Sequence, residues 1–237
     1  MAQKSLLAIA QQLAPPLNLP KPTVVTTATD NSVLKLLELI RATCDDVLRE
    51  FDWQFLTTRY ILNTVNGTAG YSFPTDINRF VTGSFFDSTR RWELLGPLTA
   101  PQWELLQTTN IATTPYQRYR VFGNQIQFYP TPGATIYTFV YEYISANYVL
   151  DGTSGLPKGD FTQDSDICRF DHRLIIYGTK LKWLESVGRD TTAALTEYQR
   201  ALETARGQDI PASTLDARGT LGHNLITTQN ISDGNWN

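Results

Sequence analysis

The apolar positions of this chain change period twice along its length, and each change marks an element boundary. Between 29 and 51, Val33, Leu37, Ile40, Cys44, Val47, Leu48 and Phe51 recur three and four apart, which predicts a helix. Asp30, Asn31 or Ser32 can supply the oxygen that caps its first amides. Leu34 and Leu36 widen the stripe, so more than one side should be covered. Trp53 and Phe55 come directly after it and are expected to fold back as anchors.

From 58 to 150 the period falls to two. Residues 59–65 read as a strand, Asn66-Gly67 as a hairpin turn and 71–73 as its return. Two further strands are expected at 81–86 and 92–95 around the polar turn 87–91, then a short helix from Thr99 with Pro101 in its first turn. Residues 118–150 read as a meander with Gly123-Asn124 at one turn. In its last strand Tyr137, Phe139, Tyr141 and Tyr143 share one face, and Ile136, Val140 and Ile144 share the other with Glu142. Both faces are mostly apolar, so this strand should be central.

After a Gly/Asp/Ser/Thr-rich loop at 151–166 the helical period returns. Ile167, Phe170, Leu174, Tyr177, Leu181 and Leu184 predict a helix ending at Val187-Gly188. Asp190 or Thr191 caps another carrying Ala194, Leu195, Tyr198, Ala201, Leu202 and Ala205. At the other end, residues 5–14 can make a few helical turns, while Pro15, Pro16, Pro20 and Pro22 stiffen the next stretch into an extended arm. Residues 207–237 have few apolar anchors and a charge of 1 − 3 = −2 from Arg218 against Asp209, Asp216 and Asp233. That segment is expected to be extended.

The expected fold is therefore α+β: a helical bundle from N- and C-terminal helices, with an inserted antiparallel β-domain and an extended C-terminal tail. The segments are 1–28 as an N-terminal arm with a Pro-rich linker, 29–57 and 165–206 as the two parts of the bundle, 58–150 as the β-rich domain, and 207–237 as the tail.

Composition narrows the functions. Twenty Lys and Arg against 23 Asp and Glu leave −3, which argues against a protein that grips nucleic acid through clustered cations. Two cysteines without C-x-x-C spacing read as buried free thiols. No apolar run approaches the roughly 20 residues of a membrane span, and the start lacks the form of a signal peptide, so synthesis in a cytoplasm is expected.

Few residues suggest chemistry. Cys168 and His172 stand four apart on an expected helix beside Asp171, but a metal site would need two more ligands. Glu93, Glu104, Asp160, Asp164 and Asp166 supply carboxylates for a glycosidase pair, although the last three lie in a loop that reads as solvated. The stripe Tyr137, Phe139, Tyr141 and Tyr143 has the form of a stacking platform for sugars or bases, or of a sandwich core. Arg90-Arg91 and Arg118/Arg120 are the local cationic concentrations, and no phosphate-binding glycine loop is present. The expectation is no enzyme, with no catalytic, cofactor or metal site. A carbohydrate- or receptor-binding tail module is the alternative, and a cell-wall hydrolase a more distant one.

Several segments in order carry a resemblance. A helix over 34–51 runs into Asp52-Trp53-x-Phe55-Leu56; Tyr71-Ser-Phe-Pro-Thr-Asp76 precedes Arg79-Phe80; Phe122-Gly-Asn-Gln-Ile-Gln-Phe-Tyr-Pro-Thr-Pro132 leads to the strand 136–143; helices come next over 171–187 and around Glu197-Tyr198. Over residues 28–206 the chain resembles head-to-tail adaptor proteins of tailed phages, especially the tail accessory factor of short-tailed phages. The resemblance implies a virion protein at the head-to-tail interface, made in the host cytoplasm. Its copies would form a ring, commonly of twelve, beneath the portal protein and carry downstream nozzle or tailspike proteins. Double-stranded DNA would pass through the lumen without specific binding, and no membrane would be involved. A C-terminal segment of that family reaches the portal, which makes Leu221, Leu225, Ile226, Ile231 and Trp236 the portal-binding candidates here. The proline-rich stretch at 15–22 lies outside the resemblance.

Overall fold

The computed structural model describes residues 3–109 and 116–209. The fold is α+β, with five α-helices and antiparallel sheets among the described residues. The helices are α1 (Leu6–Leu13), α2 (Asn31–Glu50), α3 (Ala100–Thr109), α4 (His172–Val187) and α5 (Thr192–Asp209). The portal-binding candidates Leu221, Leu225, Ile226, Ile231 and Trp236, and the tail beyond Asp209, lie outside the described residues.

Two cores organise the chain. The first is mainly aliphatic and is shared by α1, α2, α4 and α5: Leu6, Ile9, Leu13, Leu36, Ile40, Val47, Leu174, Ile175 and Leu202 are buried in it. Helix α4 is its centre, packing on α1, α2 and α5. It comes so near its neighbours because of Gly178. A Cβ there would stand 2.5 Å from Thr43 Cγ2 and 3.0 Å from Tyr198 Cε2, closer than packed atoms tolerate. Asp30 caps α2 and Asp171 caps α4, each accepting from the amide two residues on. Gly188 ends α4 in the left-handed conformation.

The second core is aromatic and belongs to the β-domain. Strands β1 (Thr57–Asn63), β2 (Gly70–Ser72), β3 (Ile77–Phe80), β4 (Phe86–Asp87), β5 (Trp92–Glu93), β6 (Arg118–Phe122), β7 (Gln125–Tyr129) and β8 (Thr138–Ser145) form two sheets. In one, β8 is central, with β1 along one side and β3 then β4 along the other; β5 continues from β4. In the other, β7 lies between β2 and β6. Phe128 meets Phe139 at 4.5 Å and Phe85 meets Tyr119 at 4.2 Å between ring centroids, tying the sheets face to face.

Strand β8 joins the cores. Phe139, Tyr141 and Tyr143 enter the aromatic one, whereas Ile144 enters the aliphatic one. Arg79 of β3 makes a second junction. Its guanidinium donates to the carbonyls of Leu48 and Phe51 at the end of α2 and pairs with Asp52 at 2.6 Å. The last carbonyls of a helix have no partner within it, so this side chain from the β-domain acts as their cap.

Several expectations are corrected. The start of the chain is no arm: Leu6, Ile9, Ala10 and Leu13 are buried, and Leu17 and Val25 beyond the first prolines are buried too. Spacing of three, one and three residues already marks one helix face; the prolines shape a short 3-10 turn at Pro15–Leu17 rather than an extended rod. Asn66-Gly67 does not close a hairpin, because β1 runs against β8 and β2 against β7; the turn carries the chain between sheets. The expected meander also splits, with β6 and β7 joined through Gly123 and Asn124, both at positive φ, while β8 lies in the opposite sheet. In place of one strand at 81–86 stand β3 and β4. A small third sheet is built on β9 (Val149–Leu150), which pairs with both β10 (Pro157–Lys158) and β11 (Ile167–Cys168). Ile167 therefore belongs to a strand, and the helix expected from it begins at His172.

Candidate functional site

The residues that suggested chemistry are occupied by structure. Cys168 lies in β11 and not on the helix that His172 opens; it is buried, with its Sγ 3.9 Å from Cys44 Sγ. Burial, then the neighbouring Cys168, pushes the Cys44 thiol well above its ordinary value, so it stays protonated and is no nucleophile. His172 opens α4 with Nδ1 3.5 Å from Asp171 Oδ1; burial and then the charge of Lys4 hold it below its ordinary value, leaving it neutral at pH 7. Among the described residues no group of three or more His, Cys, Asp or Glu could hold a metal ion.

The loop carboxylates are structural: most of the loop is exposed, but Asp166 is buried and Asp164 half-buried within it. Asp166 is fully buried, 2.8 Å from Lys158 Nζ, and accepts from the amides of Gly152, Thr162 and Gln163. Burial alone would raise its pKa; Lys158 and these amides outweigh that and hold it below the ordinary carboxylate value. Asp151 takes the other side of Lys158 at 3.1 Å. Asp164 accepts from the amides of Val25 and Thr26 and from the Thr26 hydroxyl. The carbonyls of Asp166 and Asp164 accept from the amides of Leu6 and Leu7, the first of α1. The N-terminal segment and this loop are therefore partners, and each satisfies polar groups the other would leave orphaned. Asp160 pairs with Arg41, and Glu93 and Glu104 are exposed on separate elements.

The aromatic stripe is core: Phe139, Tyr141 and Tyr143 are buried. Desolvation, then the Asp76 hydrogen bond, pushes Tyr143 up to about 12. Tyr137 is partly covered by the Arg90 guanidinium, 4.1 Å from its ring. Arg120 lies over Phe122 at 4.5 Å. These cations are packed on rings. Trp53 is a core anchor, with Nε1 donating to the Val47 carbonyl at 2.7 Å and Phe51, Phe55 and Phe170 around it.

What the molecule presents instead is surface. On the outer face of the β8 sheet, register places Ile61, Val140 and Phe86 in one row across β1, β8 and β4. Ile61 is 53% and Phe86 42% exposed, while Val140 between them is buried. Sequence alternation marks Val140 as apolar on that face but cannot align it with Ile61 and Phe86, since these come from strands 79 and 54 residues away. On the helical half, a cavity of about 560 Å³ opens between the start of α4 and α5, lined by His172, Arg173, Tyr177, Glu197, Arg200 and Thr204 among others. A neighbouring one of about 480 Å³ shares Asp171 and His172 and holds Arg169 against Phe55. Neither brings a nucleophile to a base.

No helix among the described residues is long and apolar enough to cross a membrane. No curated protein matches the sequence. The sequence does match the protein family described as SU10 adaptor protein, over residues 5–222. That match takes in both cores, the loop that pairs with α1 and the whole of α5. A chain with two cores and, among its described residues, no assembled catalytic group belongs to the SU10 adaptor protein family, the head-to-tail adaptors of phages.

Proposed function

We propose that the protein acts as a non-enzymatic ring subunit beneath the portal of a short-tailed phage. Its copies stand side by side. Each copy meets one neighbour through one surface and the next through another, which is how a ring closes. The family match over residues 5–222 carries this reading. Helices α2 and α5 are the proposed ring contacts, and the segment beyond α5, with Leu221, Leu225, Ile226, Ile231 and Trp236, is the proposed portal contact. The ring extends the conduit for double-stranded DNA and gives tail proteins a platform. The formal charge of −3 supports passage without phosphate traps. Burial of Phe139, Tyr141 and Tyr143 speaks against a sugar platform on that stripe.

Removing residues 210–237 tests the portal contact. The expected result is a folded protein that no longer co-purifies with the portal protein of the same genome. Undiminished co-purification would overturn that assignment.

A further inference from the structure

The two cysteines of the chain stand 124 residues apart and meet in the aliphatic core, with their Sγ atoms 3.9 Å from each other. Cys44 lies on α2 and Cys168 on β11, and both are buried. Their separation is van der Waals contact. A disulfide holds its sulfurs about 2.05 Å apart, so closing the gap takes under about 2 Å, within reach of small side-chain rotations. The sequence holds no third cysteine, so no other thiol of the chain competes for either. The core around them, which includes Ile40, Tyr148 and Phe170, is apolar, as a disulfide is.

The two thiols differ in how they reach solvent. β11 is two residues long and follows the mostly exposed loop 151–166, whereas Cys44 stands inside a helix of 20 residues. Short elements beside loops open locally more readily than long packed helices. Opening at β11 brings Cys168 to solvent and takes cover from Cys44 as well. A phage virion component also changes surroundings. It leaves the reducing interior of the host at release and enters a medium in which disulfides persist.

We propose that Cys44 and Cys168 form an oxidation site, which a peroxide converts to a disulfide that pins β11 to α2 in the native fold. The Cys168 sulfur, its proton released, attacks one peroxide oxygen. The O–O bond breaks and leaves a sulfenic acid, and the departing hydroxide takes up the proton as water. The Cys44 sulfur then attacks the Cys168 sulfur. The S–O bond breaks, the S–S bond forms, and the hydroxyl leaves as water with the Cys44 proton. The sulfurs give up two electrons in all, and the peroxide takes them. The bond secures the same loop that Asp166 holds through Lys158, but without relying on charge.

The test treats the full-length protein, purified reduced, with hydrogen peroxide, then digests it without reductant and reads the peptides by mass spectrometry. The expected product is a monomer in which the peptides carrying Cys44 and Cys168 are linked, at a mass two hydrogen atoms below their sum. Its urea midpoint should rise, with a folding constant higher by at least about thirtyfold, and a reductant should reverse both changes. Cysteines that stay free, or that gain oxygen without linking, would overturn the proposal. So would a bond that forms only once urea has unfolded the chain, or one that fails to raise the urea midpoint, because either shows that the native fold does not place the pair for bonding.

Discussion

The two halves of the molecule solve the same packing problem with different materials. The β-domain fills its interior with rings: Phe85, Tyr119, Phe128, Phe139 and Tyr141 meet one another from opposite sheets. The helical half fills its interior with aliphatic side chains on four helices and closes one side with a buried carboxylate, Asp166, on Lys158. Rings confer cohesion through area and edge-to-face geometry, which neither salt nor acid disturbs. A buried ion pair confers it only while both charges are present. The halves should therefore fail under different insults, and variants can separate them.

The largest effect is expected in the aromatic core. Phe139→Ala should cost about 4 kcal/mol, as large-to-small changes at fully buried rings do, measured by urea unfolding. If the cores are separately cooperative, exchange of β6 and β7 amides will rise while α2 and α4 stay protected. Uniform loss of protection would show one cooperative unit, with β8 and Arg79 coupling the halves completely.

Asp166→Ala should cost about 3 kcal/mol, since it strands Lys158 and the amides of Gly152, Thr162 and Gln163. Exchange should rise first in α1 and the 151–166 loop. Acid reaches the same place. Asp164 and Asp166 both titrate below their ordinary 3.8 in the folded protein. Their stabilisation is present above that value and is lost as pH falls through the lower folded values. Stability should thus drop below about pH 4, and Asp166→Asn should flatten the drop. An equal acid response in that variant would contradict the assignment.

Gly178→Ala should cost about 2 kcal/mol by forcing α4 off Thr43 and Tyr198. Adding Thr43→Ser, which removes the methyl that the new Cβ meets, should recover part of the loss. Smallest is Arg79→Ala, about 1 kcal/mol for hydrogen bonds at a partly exposed site. Its signature is location: faster exchange at the end of α2 and in β3 together.

The long periodic elements are legible in the sequence because one face of each meets a core. Val33 to Leu48 on α2 and the alternation along β8 stand in the sequence as they stand in the fold. The parts that stay hidden depend on partners far along the chain. Asp164 and Asp166 look like solvated loop residues until Val25, Thr26 and the first amides of α1 are brought to them, some 140 to 160 residues away. The short spacing of Leu6, Ile9 and Leu13 is masked by the four prolines after it. Ile167 and Phe170 extend a helical stripe by coincidence of spacing, and only Asp171 as cap shows where the helix starts. The alignment of Ile61, Val140 and Phe86 exists only through sheet register, which no local pattern carries. The family resemblance lies in the order of elements, and the match over residues 5–222 bears it out.

The adaptor reading as a whole is tested most directly by co-expressing this chain with the portal protein of the same genome and imaging the purified complex by electron microscopy. The account predicts a ring of this protein stacked coaxially beneath the portal ring, with an open lumen along the shared axis. Intact portal rings that stay bare at high concentrations of the folded protein would contradict it.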